Sequence, residues 1–218
     1  MPIKPARFVY REEKAMKKLL LVSMFQNVSH LLQRVLPDYK GKSVAYIPTA
    51  SLAEEPGGWA ALEKHNLEQM GLVVDEVEVS TAPYDAIQRA LQKNDLIYIA
   101  GGNTFFLLQA LKQSGADRLI REEVHKGKPY IGESAGAIAA APDIAYSSAM
   151  DDPGKAPGLQ DYTGLHLTEW YPVPHRGNPE YGAAVEQIVA AYASTLDLKV
   201  IDDHQALFVE DSRVEVLK

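Results

Sequence analysis

Short, nearly unbroken apolar runs recur along the chain, and segments with apolar residues three or four apart separate them. Runs at 18–23, 43–48, 72–79 and 95–100 read as buried strands. Helices are predicted between them. The face Val28, Leu31, Leu32, Val35 and Leu36 gives one over 27–36, stopped by Pro37. Trp59, Leu62, Leu67 and Met70 give one over 56–71, closed by Gly71, and Pro83 opens a third over 83–93. Two more follow the fourth strand, one through Leu107, Leu108 and Leu111 and one over 116–126. Strands buried on both faces and alternating with helices predict a mainly parallel sheet with helices on both sides, a flavodoxin-like three-layer α/β fold. Beyond 141 the alternation loosens. Short strands are expected at 143–148 and 165–167, a Pro/Gly/Asp loop at 150–161, irregular chain at 170–179 and a helix over 180–194. Strands at 199–201 and 206–209 flank Asp202, Asp203 and His204, and 214–217 closes the sheet.

The stretch 128–141 stands out. An apolar run, Pro129-Tyr130-Ile131, leads into Gly132-Glu133-Ser134-Ala135-Gly136, and helix formers follow over 137–141. Gly-x-Ser-x-Gly between a strand and a helix predicts a nucleophile elbow, a sharp turn that exposes one serine. The turn leaves no room for side chains two positions either side of Ser134, and it frees the Ala135 N–H to donate to an oxyanion.

Composition narrows the chemistry. The chain has 218 residues and a formal net charge of −7, which suits one soluble domain and argues against a nucleic-acid surface. It has no cysteine, which excludes disulfides, zinc–thiolate sites and cysteine nucleophiles and fits a reducing cytoplasm. No apolar run approaches the roughly 20 residues of a membrane span. Residues 1–15 are basic and lack a period, so they are expected to be an N-terminal extension to a single domain over 16–218. A homodimer is compatible with the sequence.

An exposed serine needs a base, and the base needs an orienting acid. His30, His65 and His125 fall in predicted helices, His166 in a short strand and His204 in a tight loop. His175 lies in Pro172-Val173-Pro174-His175-Arg176-Gly177, a stiff stretch downstream of the elbow, and stiffness suits a general base. Asp151 and Asp152 precede it in a loop, and Asp202 and Asp203 follow it at a predicted strand end, so either pair could supply the acid. The Gly101-Gly102 turn at the end of the fourth strand offers backbone N–H groups for the second oxyanion donor. It matches neither Gly-x-Gly-x-x-Gly nor a P-loop, which argues against nucleotide binding.

These residues resemble the peptidase E (aspartyl dipeptidase) and cyanophycinase family. The resemblance is carried by three segments in family order: 95–105 with Gly101-Gly102-Asn103, 132–137 with Gly-Glu-Ser-Ala-Gly-Ala, and Pro174-His175. It covers roughly 17–209. It implies a sheet related to the class I glutamine amidotransferases, Ser134 as nucleophile, His175 as base and an oxyanion hole from Gly102 and Ala135. Asp203 matches the family's acidic residue near the last strands, and Asp152 or Asp151 would match an aspartate after the serine turn. Short peptides, among them dipeptides with N-terminal Asp, are the implied substrates, with no metal or cofactor. Asn103, Glu133 and Arg176 are the expected substrate contacts, Arg176 because a guanidinium grips carboxylates in a fork. Glu133 departs from the aromatic residue that aspartyl dipeptidases carry before the serine, and it would repel an acidic substrate unless it turns away or pairs with Arg176. An esterase of the α/β-hydrolase type, with the chain order Ser134, Asp152, His175, and a non-catalytic binding module are the alternative readings.

Overall fold

The computed structural model describes residues 16–54 and 59–218. The expected extension over 1–15 and the start of the 56–71 helix lie outside the described residues.

The strands are β1 (Lys18–Val22), β2 (Ser43–Ile47), β3 (Val73–Glu76), β4 (Leu96–Ile99), β5 (Tyr130–Glu133), β6 (Tyr171–Arg176), β7 (Leu198–Asp202), β8 (Ala206–Glu210) and β9 (Arg213–Leu217). The helices are α1 (Phe25–Val28), α2 (Leu32–Val35), α3 (Trp59–Gln69), α4 (Tyr84–Lys93), α5 (Thr104–Ser114), α6 (Ala116–His125), α7 (Ala135–Ala139) and α8 (Gly182–Tyr192). One sheet runs in the order β3-β2-β4-β5-β1-β8-β9. Its first five strands are parallel, and β8 and β9 extend it antiparallel.

Alternation along β1 shows why the central runs are continuously apolar. Leu19 and Leu21 enter a core with Ile97, Ile99 and the helices α4, α5 and α6. Leu20 and Val22 point the other way, into a core with Val44, Tyr98, Leu32 of α2 and Leu67 of α3. Helices therefore cover both faces, in a three-layer α/β fold. No helix among the described residues is long and apolar enough to cross a membrane.

Four local expectations are corrected. The predicted 27–36 helix starts earlier and breaks, with a 3₁₀ turn at Ser29–Leu31 between α1 and α2. The expected strand at 143–148 reduces to one bridge, Asp143 to Thr163, followed by a 3₁₀ turn. The Asp143 carboxylate accepts the Ala145 N–H at 2.7 Å and turns the chain locally. The expected strand at 165–167 instead caps α7, its three N–H groups donating to the carbonyls of Ala139, Ala141 and Ala140.

The supposedly irregular 170–179 holds β6, which pairs with β7 in a separate two-stranded sheet. Tyr171 N–H donates to Asp197 O, so Tyr171 and Val173 turn their N–H groups toward β7. Pro172 then turns its missing N–H away from the ladder, the position in which proline tolerates a strand, and Pro174 sits where the register shifts. β7 and β8 are consecutive but join different sheets, and the turn over 203–205 between them carries Asp203 to the carboxyl ends of β1 and β5.

Candidate active site

Strand register builds the site. Ile99 of β4 and Val22 of β1 flank Gly132 and Glu133 of β5, so three strand ends converge on Ser134, where ligands bind in open α/β sheets. Ser134 has φ 48° and ψ −106°, sparsely populated values for a non-glycine residue, and its N–H is tied to Val22 O at 2.9 Å. The two glycines of the elbow are sterically required. A Cβ on Gly132 would lie 2.4 Å from Gly136 O, and one on Gly136 would lie 2.3 Å from Ile99 O. The Tyr130 hydroxyl donates to Gly136 O at 2.7 Å beneath the turn.

The Ser134 Oγ lies 2.9 Å from His175 Nε2, and His175 Nδ1 lies 2.8 Å from Asp203 Oδ1. His175 is 4% exposed and sits at φ 71°, with Tyr181 stacked at 4.8 Å between ring centroids. Asp203 Oδ2 accepts the Asn178 amide at 2.6 Å, and Asn178 Oδ1 in turn accepts the N–H groups of Glu180 and Tyr181. Of the four carboxylates weighed as orienting acid, Asp203 is the one within reach of His175. Asp202 accepts the His204 N–H, Asp152 caps its own turn at the Gly154 N–H, and Asp151 holds the N–H and hydroxyl of Thr104.

Gly101 packs beside the serine, since a Cβ there would lie 3.3 Å from Ser134 Cβ. The next residue, Gly102, has φ 132°, and a Cβ on it would overlap the Ala50 backbone at 2.3 Å, so only glycine fits. Among the described residues, neither the Gly102 N–H nor the Ala135 N–H has a hydrogen-bond acceptor.

The three expected substrate contacts each have a partner within the protein. Asn103 is 2% exposed and caps α5, its Oδ1 accepting the Phe106 N–H and its amide donating to Asp152 O. Arg176 pairs on the surface with Glu186 of α8 at 3.2 Å. Glu133 turns to the opposite side of the sheet, where its carboxylate accepts the Phe25 N–H at 2.7 Å and the Tyr98 hydroxyl. Sequence reasoning missed Asn178, Tyr181 and Ser23; for Asn178, the Asn-Pro pair after Gly177 is a turn signal that could have been used.

Behind the elbow Glu63 of α3 comes near Glu133, and the Tyr46 hydroxyl donates to Glu63 Oε2 at 3.0 Å. Burial first, then the neighbouring Glu133, holds Glu63 well above the usual carboxylate range. A carboxyl with a raised folded-state pKa contributes most below its unfolded value, about 4.3. The contribution is lost as pH climbs, because the unfolded chain ionises first. Glu63→Gln keeps the shape of the side chain with no proton to lose. Wild type is therefore expected to lose more stability than Glu63→Gln between pH 5 and pH 9 in denaturant titrations. Parallel pH slopes for the two proteins would contradict this.

A three-layer α/β fold with a serine, a histidine and an aspartate aligned at its carboxyl edge defines a hydrolase type of architecture. The sequence comparisons narrow it. The model of peptidase family S51 matches residues 19–217. An uncharacterized peptidase of Listeria innocua is 45% identical over 199 residues, covering 91% of this chain and 95% of its own. Peptidase E of Haemophilus influenzae is 33% identical over 174 residues, covering 76% and 74%. A crystal structure of a peptidase E protein from Listeria monocytogenes superposes with a TM-score of 0.89 at 42% identity, covering 94% of this chain and 99% of that one. The chain belongs to peptidase family S51, among the relatives of peptidase E.

Proposed function

We infer that this protein is a serine peptidase that hydrolyses short peptides with a free N-terminus through an acyl-enzyme. The unbroken hydrogen-bond line Ser134–His175–Asp203 carries this reading. In the first step Ser134 Oγ attacks the scissile carbonyl while His175 Nε2 takes its proton. Asp203 keeps the other ring proton on Nδ1 and stabilises the imidazolium. The Gly102 and Ala135 N–H groups receive the oxyanion, an effect of about 3 kcal/mol per donor in related chemistry. His175 then protonates the leaving amine, and water, deprotonated by the same imidazole, releases the acyl group.

Acidic charge near the Gly101-Gly102 turn and Tyr181 supports the free N-terminus. Asp151 accepts the N–H and hydroxyl of Thr104, the first residue of α5 and two residues past the Gly101-Gly102 turn. The hydroxyl of Tyr181, whose ring packs on His175, is pushed up by burial and in part by Asp151 and Glu54. Burial pushes Asp151 up to about 6 against the two Thr104 hydrogen bonds, and its carboxylate form would suit a substrate ammonium. An N-terminal Asp side chain would need a cation, and Arg176 is engaged by Glu186.

A dipeptide panel tests the reading. Free dipeptides with neutral N-terminal residues are expected to be cleaved, their N-acetyl forms spared and Asp-X forms cleaved more slowly. Faster cleavage of Asp-X would bring Arg176 into the site. Cleavage of N-acetyl and free forms at equal rates would overturn the role given to the N-terminus.

A further inference from the structure

The three reacting side chains come from distant parts of the chain, yet one short segment touches the backbone or flank of each. It is the turn over 22–27, between β1 and the end of α1. Val22 O accepts the Ser134 N–H at 2.9 Å. Ser23, 1% exposed, uses its hydroxyl twice: Oγ accepts the His175 N–H at 2.9 Å and donates to Asp202 O at 3.0 Å. Phe25 N–H donates to the Glu133 carboxylate at 2.7 Å, one residue before the nucleophile. The Asn27 amide donates to Asp203 O at 3.0 Å.

We propose that Ser23, seconded by Asn27, is the positioning residue that holds His175 in register between Ser134 and Asp203. The backbone at His175 explains the need. With φ 71° the residue occupies the left-handed region, which disfavours a side chain and persists only where its surroundings over-determine it. β6 does not supply that restraint, since its register with β7 shifts between Val173 and Arg176, just where His175 lies. The Ser23 hydroxyl fills the gap. It fixes the His175 amide from below and ties it to the carbonyl before Asp203, so base and acid move together. Glu133 does the same for the nucleophile, which accounts for a buried carboxylate beside Ser134 that never faces substrate.

The proposal rests on the triad reading, and the test separates the two. Inactivation by a fluorophosphonate probe is followed against probe concentration and pH, with melting temperatures measured in parallel. In Ser23→Ala the maximal inactivation rate should fall about ten- to hundred-fold, the loss typical of a reacting group displaced by about 1 Å. Probe affinity should be unchanged, and the midpoint of the rate–pH curve displaced. Asn27→Ala, at an exposed position that does not threaten folding, should show a smaller loss in the same direction at an unchanged melting temperature. A Ser23→Ala protein that melts lower but reacts at the wild-type maximal rate and midpoint would overturn the proposal, as would an Asn27→Ala protein indistinguishable from wild type. Wild type that fails to label at Ser134 would overturn the triad reading, and the role of Ser23 with it.

Discussion

Ser134→Ala is expected to lower peptidase kcat on the order of 10⁶-fold, the loss seen when a serine nucleophile is removed from a triad. The fold should hardly notice. The Ser134 side chain has one hydrogen-bond partner among the described residues, His175, and the residue is only half-buried. Losing that bond costs about 1 kcal/mol. Alanine meets the same backbone torsions as serine at φ 48°, and the N–H to Val22 O bond survives. Steady-state kinetics on a cleaved dipeptide and a melting curve on the same preparation check both halves. A protein that keeps its melting temperature and more than a hundredth of its activity would show that the chemistry lies elsewhere.

The second large effect is expected for Asp203→Asn, about 10⁴-fold in kcat. The hydrogen-bond line gives the reason. The Asn178 amide donates to Asp203 Oδ2 at 2.6 Å, so an asparagine at 203 is driven to present its oxygen to Asn178. Its NH₂ group then faces His175 Nδ1, 2.8 Å away in the wild type. An imidazole that accepts at Nδ1 carries its proton on Nε2, and it cannot take one from Ser134. The double variant Asp203→Asn, Asn178→Asp removes that bias and should recover part of the loss. No recovery would place the defect in lost charge rather than in the tautomer. The comparison is read as kcat at fixed pH, with KM expected to move little because neither side chain binds the peptide.

Much of this was readable from residue patterns, because the central strands must be apolar on both faces and their βα turns must be small. β1, β2, β4, β5 and the elbow announce themselves for that reason. Pro83 and Gly71 mark helix boundaries by the backbone torsions they allow. The second half was harder to read. β6 hides behind Pro172 and Pro174, whose tolerance depends on which edge of the strand is paired, and pairing is tertiary. The residues at 165–167 look like a strand but spend their N–H groups on the end of α7.

The site divides along the same line. Ser134, His175 and the Gly101-Gly102 turn lie in local patterns that the chemistry demands. Choosing Asp203 over Asp151, Asp152 and Asp202 needed the switch of β7 and β8 between sheets, which no spacing reveals. The direction of Glu133 likewise depended on Phe25 and Tyr98 across the sheet. Ser23 had no signal at all beyond being the polar residue that ends an apolar run.

Peptide mapping of the fluorophosphonate-treated protein tests the central claim most directly. One adduct should form, on the Ser134 hydroxyl in the peptide that contains residues 129–141, in step with the loss of peptidase activity. It should be absent from Ser134→Ala and slowed in Asp203→Asn. A protein that cleaves peptides while Ser134 stays unmodified, or that loses activity through an adduct at another residue, would contradict the account.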